Sequence, residues 1–246
     1  MFEIPLIIRV SELNLIFVVS TIDLEKFDFR GRWSFSNTIY PTEINFIGIL
    51  SKLIKYHGRK LTIQEVNNQN FEFYQSIGNI TNYRTFLSQY STVIHMWGLY
   101  YIDSNGIFLI TPLALQFLKG EIDYVTMNLI FSARTQFPKP QVHRQPGGPL
   151  RPVISLIRVL KSLAMKGKMD KLSVFEINLF WCYITNDRDV ESFVIDLLAY
   201  RNNNSLISAD SVSNKSPSNG VSGMLRIATM ANIIEKQKGY YQLVKK

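Results

Sequence analysis

The segment from Phe137 to Pro149 holds four prolines and two glycines. No helix or central strand can run through such a stretch, because each proline lacks a backbone donor and fixes its φ. A chain interrupted there is expected to fold as two units joined by a connector, and 246 residues are enough for two compact units. The apolar share of 46% and the aromatic share of 13% supply core material for both.

Periodicity places the elements on either side of that interruption. In the first half, Ile44, Ile47, Leu50, Leu53 and Ile54 recur at three- and four-residue spacing between Pro41-Thr42 and Gly58, which predicts a helix over 41–57. A polar stretch follows, with a short helix predicted over 63–75. Ile80, Tyr83, Leu87, Tyr90, Ile94 and Trp97 mark an amphipathic helix whose opposite face carries Asn82, Thr85, Ser88, Gln89 and Thr92. Two apolar runs, Leu99 to Ile102 and Ile107 to Ile110, flank Asp103-Ser104-Asn105-Gly106 and predict a hairpin.

The second half repeats this order. Helices are predicted over 150–164, from Ser173 through Tyr183, over 190–200 and over 221–232, and a closing hairpin turns at Lys238-Gly239. The interval 202–220, rich in Asn and Ser, is expected to be a mobile loop. Helix, helix, helix, hairpin is the order of a winged-helix unit. The fold class expected is α+β, mainly α, with two winged-helix-type units over 31–121 and 151–246. A basic, Pro/Gly-rich connector spans 122–150 between them, and a strand-rich arm of unassigned function spans 1–30. The halves are expected to share an order of elements and not a sequence repeat.

The charge is not spread evenly. Between Ser132 and Lys171 nine cations face a single carboxylate, Asp170, which equals the net +8 of the whole chain. An excess so confined favours an anionic partner over a merely solubilising surface. On the helix that follows the connector, Arg151, Ser155, Arg158 and Ser162 fall on one narrow face. Arginines and hydroxyls on one stripe suit phosphate oxygens. Gln136, Gln141, His143, Arg144 and Gln145 interleave with the connector's prolines, and Gln and Arg side chains can read adenine and guanine edges.

Other classes find little support. Cys182 sits alone among Phe180, Trp181 and Tyr183, a buried packing residue expected in a reducing compartment. The apolar run Ile4 to Ile22 is broken by Arg9, Glu12 and Asn14, so neither a signal peptide nor a membrane span is expected, and the location expected is cytoplasmic. A magnesium nuclease of the commonest restriction type needs an acidic residue two positions before a lysine, and no lysine here has one. Glu235-Lys236-Gln237 is similar to a glutamine variant of that motif but falls in a terminal hairpin without a nearby aspartate. His57, His95 and His143 have no zinc spacing. No Gly-rich phosphate loop or Gly-x-Ser-x-Gly elbow is present. No catalytic and no metal-binding residue is therefore assigned.

Several successive pieces resemble the DNA-recognition region of AlwI-type (type IIS) restriction endonucleases and related site-specific nicking endonucleases. They are Phe131 to Pro138, Arg151-Pro152 followed by Val153 to Leu163, Leu172-Ser173 through Glu176 to Tyr183, and Ile195 to Arg201-Asn202, with Gly98 to Leu118 upstream and Ser222 to Leu243 downstream. The likeness runs in order over roughly residues 30 to 246 and consists of apolar-pattern motifs rather than catalytic signatures. It implies a recognition region that reads an asymmetric site, while a separate domain or partner subunit, with Mg2+, cuts at a distance.

The lead expectation is sequence-specific binding of double-stranded DNA as the specificity part of a type II restriction system. Arg151, Arg158, Lys161 and Lys139 are the expected phosphate contacts. Arg134, Gln136, Gln141, His143 and Arg144, with Asn82, Thr85 and Gln89, are the candidates for base or backbone contacts. A non-enzymatic winged-helix DNA-binding regulator, an active nuclease with an unrecognised site, and a protein–protein scaffold are the alternatives.

Overall fold

The computed structural model describes residues 42–76, 82–83, 98–137, 149–167, 169–202 and 219–245. The arm expected over 1–30, nearly all of the helix over 80–97 and most of the loop over 202–220 lie outside these residues.

The first half begins with α1 (Glu43–Leu53), which Thr42 caps by accepting from the Asn45 N–H at 3.3 Å. A single 3-10 turn (Ile54–Tyr56) ends it, and α2 (Ile63–Ser76) packs back across α1. That crossing is close: a Cβ at Gly48 would stand 2.6 Å from the Phe73 ring. The expected hairpin is present as β1 (Tyr100–Ile102) and β2 (Phe108–Ile110). Asp103 Oδ1 closes its turn by accepting from the Asn105 and Ile107 N–H groups at 2.8 Å.

Two further helices follow the hairpin. Thr111 caps α3 (Pro112–Leu118), and Pro112 occupies its first turn. Asp123 caps α4 (Tyr124–Arg134). The interval read as connector, 122–150, thus opens with a helix. Its described ends are then joined, since Phe137 and Leu150 exchange backbone hydrogen bonds of 2.7 and 2.8 Å.

The second half runs α5 (Pro152–Met165), β3 (Lys171–Ser173), α6 (Val174–Tyr183), a 3-10 turn (Asp187–Asp189), α7 (Val190–Asn202), α8 (Asn219–Met230), β4 (Ile234–Gln237) and β5 (Tyr240–Leu243). The three strands form an antiparallel sheet in the order β3-β5-β4. Lys238 and Gly239 both adopt positive φ, 50° and 84°, the conformation that a two-residue turn between twisted strands requires.

The two halves share more than element order. Lys60-Leu61-Thr62-Ile63-Gln64-Glu65-Val66-Asn67 and Lys171-Leu172-Ser173-Val174-Phe175-Glu176-Ile177-Asn178 align without a gap, which corrects the expectation of no sequence repeat. Each copy first pairs with the last strand of its own hairpin: Lys60 bridges Ile107, and Lys171 pairs with Gln242. Each then opens a helix with a reciprocal cap. The Glu65 carboxylate accepts from the Thr62 N–H at 2.7 Å and the Thr62 hydroxyl from the Glu65 N–H at 3.3 Å; at Ser173 and Glu176 the same distances are 2.7 and 3.2 Å. The copies also place Val66 and Ile177 in the core, both fully buried.

One cluster of buried side chains extends from Phe46 to Tyr241 and so crosses both halves. The crossing is made by α4, which packs against α5 and α8. Tyr124 of α4 touches the rings of Phe46 and Phe117 on the first-half side, and α8 rests on α4, α5 and α6 on the other. Cys182 is buried, as expected. Among the described residues no helix is long and apolar enough to cross a membrane.

Candidate nucleic-acid interface

The stripe predicted on α5 forms, but it does not face solvent as a bare cationic ridge. Arg151 Nε lies 2.9 Å from Asp187 Oδ2. The Arg151 backbone N–H and the Ser155 hydroxyl both donate to Asp187 Oδ1 at 2.8 Å, Arg158 donates to the Asp187 carbonyl at 2.8 Å, and Ser162 donates to Glu191 at 3.4 Å. The stripe is therefore a polar seam between α5 and the segment that opens α7. Both arginines expected to contact phosphates are thus also engaged within the chain, while remaining exposed. The physical reason is that Arg151, at the N-terminus of α5, has no capping side chain of its own, and a carboxylate from elsewhere in the chain satisfies that positive helix end.

Burial pushes the Asp187 carboxyl upward, yet the hydrogen bonds from the Arg151 N–H, Ser155 and the Arg151 guanidinium, with its charge, outweigh it. The pKa is held below the ordinary aspartate value.

The other predicted contact residues fall into two groups. Arg134 and Gln136, at the C-terminal end of α4 and just beyond it, and Lys161 on α5 are all exposed, as is Asn82. Thr85, Gln89, Lys139, Gln141, His143 and Arg144 lie outside the described residues. The structure thus brings none of the second group into a described surface.

Sequence reasoning passed over a different surface. α8 buries Val221, Met224, Leu225, Ile227 and Ala228, and over 221–230 its exposed residues are the stripe Ser222, Arg226 and Thr229. The stripe overlooks an open groove of about 440 Å³ between α8 and the β4–β5 hairpin. Leu225, Met230 and Tyr241 provide its apolar lining, and Lys236 projects from β4 with its ammonium 5.5 Å from the centre of the Tyr241 ring. The charge of Arg226 also reaches Tyr124 of α4. Burial raises the Tyr124 phenol above its ordinary pKa, while the hydrogen bond with Asn128 and the positive charge of Arg226 act against that rise. The signal in the sequence was the four- and three-residue spacing of polar side chains in an apolar helix directly before a hairpin.

Among the described residues no group of three or more His, Cys, Asp and Glu side chains is placed to hold a metal ion. His57 serves the fold instead, since its Nδ1 accepts from the Ile110 N–H at 3.0 Å and ties the end of α1 to β2.

No protein-family model matches this chain, and no curated protein matches it. Among solved structures, its fold is similar to that of the BpuJ1 endonuclease binding domain, determined in complex with pyrene- and phenanthrene-modified DNA. The TM-score is 0.59 at 13% sequence identity, over 81% of this chain and 74% of that one.

Proposed function

We propose that this chain recognises double-stranded DNA, and that it does so sequence-specifically as the specificity part of a type II restriction endonuclease. The observation that carries this reading is the likeness of its fold, across both halves, to an endonuclease binding domain solved on DNA. The charge agrees with it, since the net +8 arises wholly within residues 132–171 and a polyanion is the natural partner of such an excess. The winged-helix description of each half is supported by the matching strand orders. In each half a short strand pairs with the last hairpin strand, and the first hairpin strand lies on the far side.

On this reading Arg134, Gln136, Lys161 and Asn82 belong to the contact surface, together with the connector residues Lys139, Gln141, His143 and Arg144 and the helical residues Thr85 and Gln89. Arg151 and Arg158 brace α5 against α7 and position that surface rather than form it. Cleavage, with Mg2+, belongs to another domain or a partner subunit, in the manner of type IIS enzymes of the AlwI kind.

Selection of bound sequences from a random duplex pool, repeated at two salt concentrations, tests the proposal. Enrichment of one asymmetric motif at both concentrations is the expected result. Binding that collapses with salt and enriches nothing would reduce the chain to a non-specific polycation, and a palindromic motif would point to a dimeric regulator instead.

A further inference from the structure

The groove between α8 and the β4–β5 hairpin combines two features that seldom share one surface. Its lining is apolar, made by Leu225, Met230 and Tyr241, whereas Arg226 and Lys236 stand on opposite walls. Both cations are exposed, and among the described residues neither is within ion-pairing distance of a carboxylate. Two uncompensated cations facing each other across an apolar trough suit a polymer that alternates an anion with an apolar ring. A strand of DNA is such a polymer: phosphates recur along it, and between them lie deoxyribose faces without a hydroxyl at the 2′ position.

The internal repeat supplies an independent reason. The sequence pattern marks Asn82, Thr85 and Gln89, ahead of the first hairpin, for DNA contact. Ser222, Arg226 and Thr229 lie on the helix directly before the second. The aligned octapeptides, with their matching caps and strand pairings, set both groups of residues between a repeated helix start and a hairpin.

We infer that this groove is a second DNA contact surface. Arg226 and Lys236 hold phosphates of one strand, and the sugars between those phosphates lie against Leu225, Met230 and Tyr241. The inference rests on the DNA-binding reading above and adds to it a strand seat that the charge count did not indicate, since α8 and β4 lie outside the cationic interval 132–171.

The test is a salt titration of the full chain on a random-sequence DNA duplex, from about 50 to about 200 mM. The Arg226→Ala/Lys236→Ala double variant is expected to bind all sequences at least about tenfold more weakly, and its salt slope to shrink by about two, one for each phosphate no longer neutralised. The Arg226→Lys/Lys236→Arg variant keeps both charges and is expected to keep the slope. Arg188→Ala removes a likewise exposed cation on the α5–α7 side and is expected to change little.

On a duplex carrying the selected motif, which fixes the register, a single ribonucleotide walked along each strand adds a second readout. It should weaken binding at one or two neighbouring positions of one strand, and the double variant should lose that dip. Wild-type binding with an unchanged double variant would overturn the groove alone, as would a slope loss of about one in Arg188→Ala, half that of the double variant, which would mean net charge only. A wild-type chain that holds no duplex at about 50 mM salt would remove the DNA-binding reading and the groove with it.

Discussion

Asp187 carries more of the second half than its place in a 3-10 turn suggests. One carboxylate satisfies a helix N-terminus, a guanidinium and a hydroxyl, and its side chain is 15% exposed, so solvent does not replace those partners freely. Because the folded carboxyl is held below its ordinary pKa, its contribution is fully present above the unfolded value, about 3.9. That contribution disappears as pH falls through the lower folded value. Asp187→Asn keeps the shape and removes the charge. We expect it to cost about 1–3 kcal/mol near neutral pH and to flatten the acid limb of the stability curve, measured by urea unfolding at a series of pH values. An acid limb identical to wild type would show that the seam contributes nothing through charge.

The cationic stripe shows what the sequence could and could not convey at this scale. Rotation along a helix placed Arg151, Ser155, Arg158 and Ser162 on one face, and the structure has them there. Their partner lies 36 residues away for Arg151 and 29 away for Arg158, and no local pattern encodes a contact at that separation. Charge counting reports an excess over an interval. It does not report which cations another part of the chain has already engaged.

At the scale of elements, helices with strong periodicity and caps were legible: the segments over 41–57, 63–75 and 150–164, and the one opening at Ser173, all appear within a few residues of where the pattern put them. The strands that open each sheet were not. Lys60 contributes a single bridge and Lys171–Ser173 three residues, too short for alternation to show. α4 escaped for another reason: its buried face includes Asn128 and Ser132, which interrupt the apolar spacing.

The repeated octapeptide makes a prediction at this level, because its two glutamates sit in unlike surroundings. Glu65 is exposed and caps one helix. Glu176 is buried and also binds Arg201, whose guanidinium reaches the carbonyls of Met169 and Lys171. Glu176→Ala is expected to cost about 3–5 kcal/mol, since it strands a guanidinium only 15% exposed. Glu65→Ala should cost clearly less. Equal shifts in urea midpoint for the two variants would mean that the buried pair adds nothing beyond the cap.

For the whole molecule, the core decides the unit of folding. One apolar cluster extends from Phe46 to Tyr241, and α4 serves both halves by meeting Phe46 and Phe117 through Tyr124 and α8 on its other side. Two lobes sharing a helix in this way are expected to unfold in one cooperative step, with equal calorimetric and van't Hoff enthalpies. Two resolved transitions would show that the shared helix couples them weakly.

The pair of hydrogen bonds between Phe137 and Leu150 acts as a clasp. It joins the chain on either side of residues 138–148, so the number of those residues can change without altering how α4 stands on α5. The conformational cost of lengthening such a closed stretch is small, about 0.6 kcal/mol for a doubling. A lineage of such proteins could therefore vary this segment in length and charge while the two lobes keep their mutual register.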